Sequence, residues 1–518
     1  MSGATFISTT IPYVNAKPHL GHALEYVQAD AYARHRARQG DDVLFMSGSD
    51  ENSLKNVLSA ERLNISTREL VDTNVVYFER LIEHLDLRVD HFVRTSVDID
   101  HIKGATEFWR RMEKSGDIYS KEYEGLYCVG CEQFYGEAEL VEGKCPEHLT
   151  VPELVRERNY FFRLSRYQDA LLEVIESGAL AVWPASRMNE VTSFIRGGLA
   201  DISISRSIER ARGWGIPVPG DPGQVMYVWI DALTNYVNGL GFVRDAEGYH
   251  KYWENADRRV HAVGKGVIRF HAVYWPAMLL SARVPLPTDV VVHGYITLSG
   301  QKLSKSLGNV VDPAELVQQV GTDAVRYYLL ADISPFLDGD FSEERMVSRY
   351  NSDLANGLGN LVSRVTSMVT RYRDGIVPEG GAVTEADTAL VNQVAASTAE
   401  ATAAMDRFDG REALARIWDL VRHTNAYIDG RAPWHLAKAD DAASQEVLDT
   451  TLLHLVGAVR RLGWLISPFL PSASDAILGS LGESLKSVSV AEPWLDGLPG
   501  CGIEKAPAIF PRLELPVD

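Results

Sequence analysis

Cysteine is scarce in this sequence, and its scarcity limits the kinds of protein that the chain can encode. Only four cysteines occur among the 518 residues. Cys128, Cys131 and Cys145 lie close together, whereas Cys501 stands alone. Three neighbouring cysteines in such a long chain indicate metal chelation by reduced thiols rather than a framework of disulfides.

Long apolar runs are also missing. No stretch reaches the length that a membrane-spanning helix requires. The first residues, Met1 to Ala4, lead directly into a strand-like segment, without the charged and apolar regions of a signal peptide. We therefore expect a cytoplasmic protein that has no membrane partner.

An excess of positive charge is absent as well. The chain has 51 Lys and Arg against 70 Asp and Glu, a formal net charge of −19. Indiscriminate binding to nucleic acid requires a basic surface, so the composition argues against it. A local basic patch can still steer a specific polyanion. With 46% hydrophobic and 23% charged residues, the composition is that of a globular protein, and the length predicts several domains.

The N-terminal region alternates strand and helix signals. Thr5 to Ile11 reads as a buried strand, Leu20 to Arg38 as a helix and Asp42 to Ser47 as a second strand. A βαβ unit of this kind belongs to an α/β domain with a parallel sheet, whose ligands bind beyond the carboxyl ends of the strands. The side chains predicted at those ends are Tyr13, His19, His22 and Asp50.

Further along, the pattern changes twice. Residues 66–115 read as helical, residues 116–224 interrupt the alternation and hold the cysteine cluster, and strand signals resume at Val225. Asp312-Pro313 is a typical helix start. Beyond residue 346 only amphipathic helical segments follow, which predicts a helix bundle. The predicted division is a Rossmann-like catalytic domain in two halves (1–115 and 225–290), an insertion (116–224), a linker region (291–345) and a helical domain (346–518).

Two short motifs carry the chemistry. They are His19-Leu20-Gly21-His22 and Lys302-Leu303-Ser304-Lys305-Ser306. Imidazoles near a helix N-terminus can donate hydrogen bonds to phosphate oxygens, and a loop with two lysines can neutralise a leaving pyrophosphate. Either motif alone is weak evidence, but the pair in this order predicts an ATP site.

With both motifs in place, the chain resembles a class I aminoacyl-tRNA synthetase, specifically the bacterial-type methionyl-tRNA synthetases, over nearly its whole length. The family signatures are His-Ile-Gly-His and Lys-Met-Ser-Lys-Ser, and Leu20 and Leu303 replace their apolar second residues. The resemblance implies that methionine and ATP, with Mg²⁺, give methionyl-adenylate and pyrophosphate. The methionyl group then moves to the 3′ end of tRNA(Met), initiator and elongator alike.

The resemblance also implies the substrate sites. The ATP-binding residues would be His19, Gly21, His22, Gly264, Lys302, Ser304 and Lys305. The methionine site would comprise Ile11, Tyr13, Asp50, Trp229, Ala232, Leu233, Tyr236, Val267 and His271. Of these, Leu233 and Val267 could also be simple core residues. The chain departs from the family at Gly266, where an aspartate usually binds a ribose hydroxyl.

The cysteine cluster has the spacing of a tetrahedral zinc site. Cys128-x₂-Cys131-x₁₃-Cys145-x₂-His148 supplies two chelating pairs, with Glu147 as a rival to His148. Four protein ligands leave no open coordination position, which predicts a structural zinc knuckle within the insertion. Metal-free reduced cysteines are the alternative.

Transfer RNA recognition is expected in the helical region. Residues 345–373 carry five arginines and only one aspartate, Asp353. By resemblance, Asn360, Arg364 and Trp434 would read the anticodon, since unpaired bases are recognised by edge hydrogen bonds and by stacking. Taken alone, Trp434 could equally be a buried bundle residue.

Two alternatives stay open from the sequence. The chain could be another class I synthetase, although the isoleucine, leucine and valine enzymes carry a much larger insertion. It could also be a non-catalytic tRNA-binding relative, which the intact histidines and lysines argue against. The chain ends after the helical region, which favours a monomer.

Overall fold

The chain folds into two compact units. The computed structural model describes residues 3–128, 133–146, 149–298, 301–302, 311–486 and 494–513. The first unit comprises Met1–Ala29, Arg36–Glu83 and Leu87–His293, and the second comprises Asp30–His35, His84–Asp86 and Gly294–Asp518. None of the helices formed by the described residues has the length and apolar character needed to cross a bilayer.

Strands occur mainly in the first unit. Their bounds are β1 Ala4–Thr9, β2 Asp42–Ser49, β3 His91–Arg94, β4 Ile118–Cys128, β5 Gln133–Tyr135, β6 Glu153–Phe162, β7 Ala181–Trp183, β8 Ile202–Ser203, β9 Ser205–Ser207, β10 Pro217–Val218, β11 Asp221–Met226, β12 Arg258–Gly264, β13 Asp289–His293, β14 Ile296–Leu298, β15 Gln301–Lys302 and β16 Gly339–Phe341.

Helices occur in both units. Those of the first half are α1 Leu20–Arg38, α2 Leu54–Leu63, α3 Thr67–His84, α4 Ile99–Lys114, α5 Gln168–Glu176, α6 Ala185–Arg196, α7 Val228–Asn238, α8 Glu247–Tyr249 and α9 Trp275–Ala282. Those that follow are α10 Pro313–Val320, α11 Thr322–Ala331, α12 Glu343–Arg349, α13 Asn360–Tyr372, α14 Glu385–Asp406, α15 Gly410–Arg431, α16 Pro433–Leu436, α17 Ala442–Ile466 and α18 Pro471–Ser480. Phe270–Tyr274 and Tyr350–Gly359 are π-helical.

The first unit is built on a six-stranded parallel sheet in the order β3-β2-β1-β12-β13-β7. Five of the six residues of β1 are buried, as expected for a parallel strand covered on both faces. The predicted strand–helix–strand unit is confirmed, and α1 has the predicted bounds. The structure adds β3, which the helical reading of residues 66–115 missed.

The segment after α4 forms a separate antiparallel sheet built on two long strands. β4 and β6 pair from Ile118 opposite Phe162 to Tyr127 opposite Glu153, and β5 and β8 flank them. The same segment also returns a strand to the main sheet, because β7 pairs with β13. The predicted insertion, 116–224, therefore contributes one strand to the six-stranded parallel sheet as well as forming a sheet of its own.

The second unit is mainly helical. A small sheet, β15-β14-β16, precedes the helices α13 to α18, and α17 is buried along most of its length. Asp312 caps α10 by accepting a hydrogen bond from the backbone N–H of Ala314 at 2.9 Å, as the sequence predicted. The structure therefore confirms two parts of the predicted fold class: an α/β region with a parallel sheet, and a helical region that follows it.

Candidate active site

The two histidines of the first motif lie at the N-terminus of α1, after the loop that follows β1. Backbone N–H groups donate to both rings, from Gly21 to His19 Nδ1 at 3.0 Å and from His19 to His22 Nδ1 at 3.1 Å. The ring centroids are 4.0 Å apart. Because each Nδ1 accepts a hydrogen bond, each neutral ring carries its proton on Nε2, the arrangement needed to donate to a phosphate oxygen. A Cβ on Gly21 would lie 2.9 Å from His19 Cε1, so any side chain at this position would displace the His19 ring.

Tyr13 and Asp50 are neighbours at the same edge of the sheet. They form a parallel β-bridge, and the Asp50 N–H donates to the carbonyl of Pro12 at 2.9 Å. Asp50 is 1% exposed. Asn56 Nδ2 donates to the Asp50 carbonyl at 3.0 Å, which fixes the backbone that carries this carboxylate.

An aromatic cluster lies beside Tyr13. The Trp229 ring stacks on Phe270 with centroids 3.9 Å apart and contacts Tyr13 and His271 edge-on at 6.3 and 6.2 Å. The sequence did not lead us to predict Phe270. Its position next to His271, a residue predicted for the methionine site, could have indicated it. Stacked rings offer a polarisable wall, which suits a thioether.

A hydrogen-bonded chain fixes His271 within this cluster. Its Nδ1 lies 3.0 Å from the Val267 carbonyl, and its Nε2 lies 2.8 Å from the Tyr236 hydroxyl. Burial lowers the pKa of His271 to about 4, so the ring is neutral near pH 7. A neutral ring that faces a carbonyl must carry its proton on Nδ1, and Tyr236 therefore donates to Nε2. Burial also raises the pKa of Tyr236 well above its usual range.

The remaining predicted residues of the methionine site lie in the same unit. Ile11, Ala232 and Leu233 are buried, and Val267 is half-buried. Trp229, Ala232, Leu233 and Tyr236 recur at the spacing that places them on one face of α7.

Gly264 ends β12 beside a buried pair that the sequence reasoning missed. Glu25 Oε2 lies 2.8 Å from His293 Nε2, and Glu25 Oε1 accepts the N–H of Thr10 at 2.8 Å. A Cβ on Gly264 would be 3.5 Å from the His293 ring. Gly266 is exposed. The signal for this pair was weak, because the two residues are 268 positions apart.

The second motif lies largely outside the described residues. The backbone of Lys302 belongs to β15 and is paired with Thr297. Ser304 and Lys305 fall outside the described residues, as do Leu303 and Ser306.

Two of the four predicted zinc ligands are described. The Cys128 and Cys145 thiols are buried in one small cluster with Tyr135, and Cys145 Sγ is 3.6 Å from the Tyr135 hydroxyl. Cys131 and His148 lie outside the described residues. Within the described part of the chain, no group of three or more His, Cys, Asp or Glu side chains is arranged to hold a metal.

The predicted anticodon residues lie in the helical unit. Asn360 begins α13 and is exposed, and Arg364, one turn later, donates to Asp429 Oδ1 at 2.7 Å. Trp434 is 37% exposed and follows Pro433 at the start of α16. Trp434 is therefore a partly exposed residue at a helix start and not a buried bundle residue.

The arginines of residues 345–373 do not form a strongly basic surface in the folded protein. Arg345 and Arg349 bind Asp332, and Arg373 binds Asp449. Most of the local charge is therefore neutralised by acids from elsewhere in the chain, and only a minority of these arginines can contribute to a basic surface.

Comparison with known families agrees with this arrangement. Residues 5–151 and 148–366 match the family described as "tRNA synthetases class I (M)". The parallel sheet, with two histidines at the N-terminus of its first helix, is therefore the catalytic domain of a class I aminoacyl-tRNA synthetase. Residues 377–511 match the "Anticodon binding domain of methionyl tRNA ligase". The chain belongs to the methionyl-tRNA synthetase family, as its sequence predicted.

The relatives described next match over nearly their whole length. The chain is 42% identical to a methionine–tRNA ligase of Brucella suis, over 98% of this chain and 97% of that protein. It is 41% identical to one of Mycobacterium bovis, over 99% and 98%. Among solved structures, Mycobacterium tuberculosis methionyl-tRNA synthetase in complex with methionyl-adenylate superposes with a TM-score of 0.94 at 41% identity, covering 99% of this chain and 100% of that chain.

Proposed function

We propose that the chain is a methionine–tRNA ligase, which forms methionyl-adenylate from methionine and ATP and transfers the methionyl group to tRNA(Met). The observation that carries the proposal is one sheet edge that combines paired Nε2 donors at His19 and His22 with a buried carboxylate, Asp50, and an aromatic wall at Trp229. The family matches, over residues 5–366 and 377–511, support it.

Methionine would lie between Asp50 and the aromatic cluster. The Asp50 carboxylate would bind the α-ammonium group, because an opposite charge offsets burial of this acid. The thioether would contact Trp229 and Tyr236, whose hydroxyl is already committed to His271. The rest of the slot would be formed by Ile11, Tyr13, Ala232, Leu233, Val267 and His271.

Adenylate formation needs no general base, since the methionine carboxylate is already a nucleophile for the α-phosphorus. The chain must instead orient the reactants and stabilise charge on the phosphates. We assign phosphate contacts to His19 and His22 and close backbone approach to Gly21 and Gly264. Lys302, Ser304 and Lys305 are assigned to the β- and γ-phosphates, where Mg²⁺, when bound with ATP, shares the neutralisation.

A structural zinc ion fits the described thiols. Cys128 and Cys145 are buried in the same cluster, and with Cys131 and His148 they make a donor set that zinc prefers. Bound zinc would crosslink the knuckle and take no part in catalysis. We expect about one equivalent of zinc by elemental analysis, lost in Cys145→Ser and kept in Cys501→Ser. Less than about half an equivalent in native protein would contradict the proposal.

For tRNA selection we propose that Asn360, Arg364 and Trp434 contact the anticodon. The exposed Trp434 ring can stack on a base, and the Arg364 guanidinium can exchange its contact with Asp429 for a base edge. We also propose a cytoplasmic monomer, in keeping with substrates that occur in that compartment.

The test is methionine-dependent exchange of pyrophosphate into ATP, followed by charging of tRNA(Met). We expect exchange with methionine and not with leucine, isoleucine or valine. His19→Asn and His22→Asn should each lower kcat by about 100-fold or more, because a phosphate donor is lost. His423→Asn, which changes an exposed histidine of α15, should have no effect. Tight tRNA binding without exchange would favour a non-catalytic relative.

A further inference from the structure

A buried polar network lies between α7 and α4, on the side of α7 that faces away from the proposed methionine site. The Asp231 carboxylate is 1% exposed and lies on α7, on a different face from Trp229, Leu233 and Tyr236. One of its oxygens lies 2.5 Å from His101 Nε2 on α4, and the other accepts a hydrogen bond from Asn52 Nδ2 at 2.6 Å. Burying a carboxylate is costly unless both oxygens find donors, and these two contacts supply them.

The far side of His101 is fixed too. Asn238, also on α7, has its side-chain nitrogen 3.4 Å from His101 Nδ1 and donates to the His101 carbonyl at 3.2 Å. Gly104 permits this approach, because a Cβ there would lie 2.0 Å from Asn238 Oδ1. His101 is therefore held between two residues of α7, and the orientation of its Nε2 toward Asp231 is set by packing.

Asn52 connects this network to the loop that presents Asp50. Asn52 also donates to the Thr95 carbonyl at 3.3 Å, and the intervening residue, Glu51, receives the N–H of Trp214 Nε1 on its carbonyl at 2.8 Å. Helix α7 thus presents the proposed thioether wall on one face and holds the Asp50 loop through another. A small substrate held at both ends requires these two surfaces to keep a fixed separation.

We propose that Asp231, His101 and Asn52 are positioning residues that set the Asp50 carboxylate for the substrate α-ammonium group. The proposal deepens the function proposed above and rests on the assigned role of Asp50. Asp231 acts through Asn52 on the loop, and His101 orients Asp231. None of the three needs to touch methionine.

The test uses the full-length protein and methionine analogues that either keep or lack the α-amine. Asn52→Asp sets two carboxylates against each other and should displace the loop. We expect the KM for methionine and the inhibition constant of methioninol, which keeps the amine, to rise about tenfold or more. The inhibition constant of 4-(methylthio)butanoate, which lacks the amine, and the KM for ATP should stay within about twofold.

Exchanging the two partners provides the control. In Asn52→Asp/Asp231→Asn the amide at 231 can donate to the carboxylate at 52 and still accept from His101. We expect the double variant to recover a methionine KM within about threefold of the unchanged protein. Equal weakening of all ligands by Asn52→Asp, or a double variant that regains thermal stability without regaining methionine KM, would overturn the network proposal.

Asp50→Asn separates the two proposals. It should weaken methionine and methioninol selectively, because it removes the charge that meets the amine. If it does not, the assignment of Asp50 is wrong and the network proposal falls with it, while pyrophosphate exchange by the unchanged protein still reports on the overall function.

Discussion

At the scale of single residues, protonation states follow from hydrogen-bond partners. His261 illustrates this: Trp275 Nε1 donates to its Nε2 at 3.2 Å, so the neutral ring donates from Nδ1 to Ser8 Oγ at 2.6 Å. Burial holds the pKa of His261 well below its usual range. His271 is fixed in the same sense by Val267 and Tyr236. The site thus contains neutral imidazoles of defined tautomer next to an aromatic wall.

Tyr236→Phe tests this arrangement. It leaves His271 Nε2 buried without its 2.8 Å donor, and an unsatisfied buried acceptor costs about 1–3 kcal/mol. We expect the free energy of unfolding in urea to fall by that amount. Tyr350→Phe is the matched control, because Tyr350 is also a buried residue but its hydroxyl forms no hydrogen bond to any residue among those described. Equal losses for both variants would mean that the hydrogen bond to His271 contributes nothing specific.

At the scale of elements, what the sequence could predict depended on how local the signal was. β1, α1 and β2 are continuous runs with their own periodicity. The bounds predicted for α1 are the observed ones, and the ends of the two strands were predicted to within two residues. β3 has only four residues, His91–Arg94, between two helices, which is too short for a periodic signal. The ion pairs of the arginines could not be predicted for another reason, because their partners are distant in sequence. Arg364 and Asp429 are 65 positions apart, and Arg373 and Asp449 are 76 positions apart.

The site followed the same rule. His19 and His22 lie in one short motif, and the family resemblance named the residues of the α7 set, so all of these could be proposed in advance. Glu25–His293 and Asp231–His101 could not, since their members come from distant segments that only the folded sheet and helices bring together.

The N-terminus of α18 is capped by a side chain from another helix, Asp323 of α11, and this contact leads to a prediction about stability and pH. Asp323 Oδ2 accepts the N–H of Ala473 at 2.7 Å in the first turn of α18, and burial raises the pKa of Asp323 to about 6. A carboxyl whose pKa is raised on folding favours the protonated folded state, so its contribution to stability is largest at low pH and is lost as pH rises through about 6. Asp323→Asn keeps an acceptor and removes the charge.

We therefore expect the stability of the unchanged protein, relative to Asp323→Asn, to fall by about 2 kcal/mol between about pH 4.5 and about pH 7.5. Urea unfolding at both pH values measures this difference. Asp475→Asn, which replaces an exposed carboxylate on the same helix, should show no such dependence. A pH-independent difference for Asp323→Asn would show that this carboxyl titrates at its ordinary value.

At the scale of the whole molecule, the second unit is assembled from segments that are far apart in sequence. The Arg326 side chain, fully buried, joins them: it donates to Asp30 Oδ2 at 2.7 Å, to the Leu85 carbonyl at 3.0 Å and to the Phe469 carbonyl at 2.8 Å. A guanidinium has five donors in a rigid plane, so one residue can satisfy acceptors on several chain segments at once. Asp30 is also held by Arg34 at 2.8 Å.

Arg326→Gln should therefore affect all of these segments together. Removing one partner of a buried ion pair and several buried carbonyl contacts should cost about 3 kcal/mol or more, whereas Arg416→Gln, which removes a partly exposed ion-pair cluster on α15, should cost less than about 1 kcal/mol. Hydrogen exchange followed by mass spectrometry measures this regionally. We expect amide protection to drop in peptides covering residues 30–35, 84–86 and 468–470 for Arg326→Gln only. If protection fell near residue 326 alone, Arg326 would be a local contact, and the three segments would be held together by their apolar packing instead.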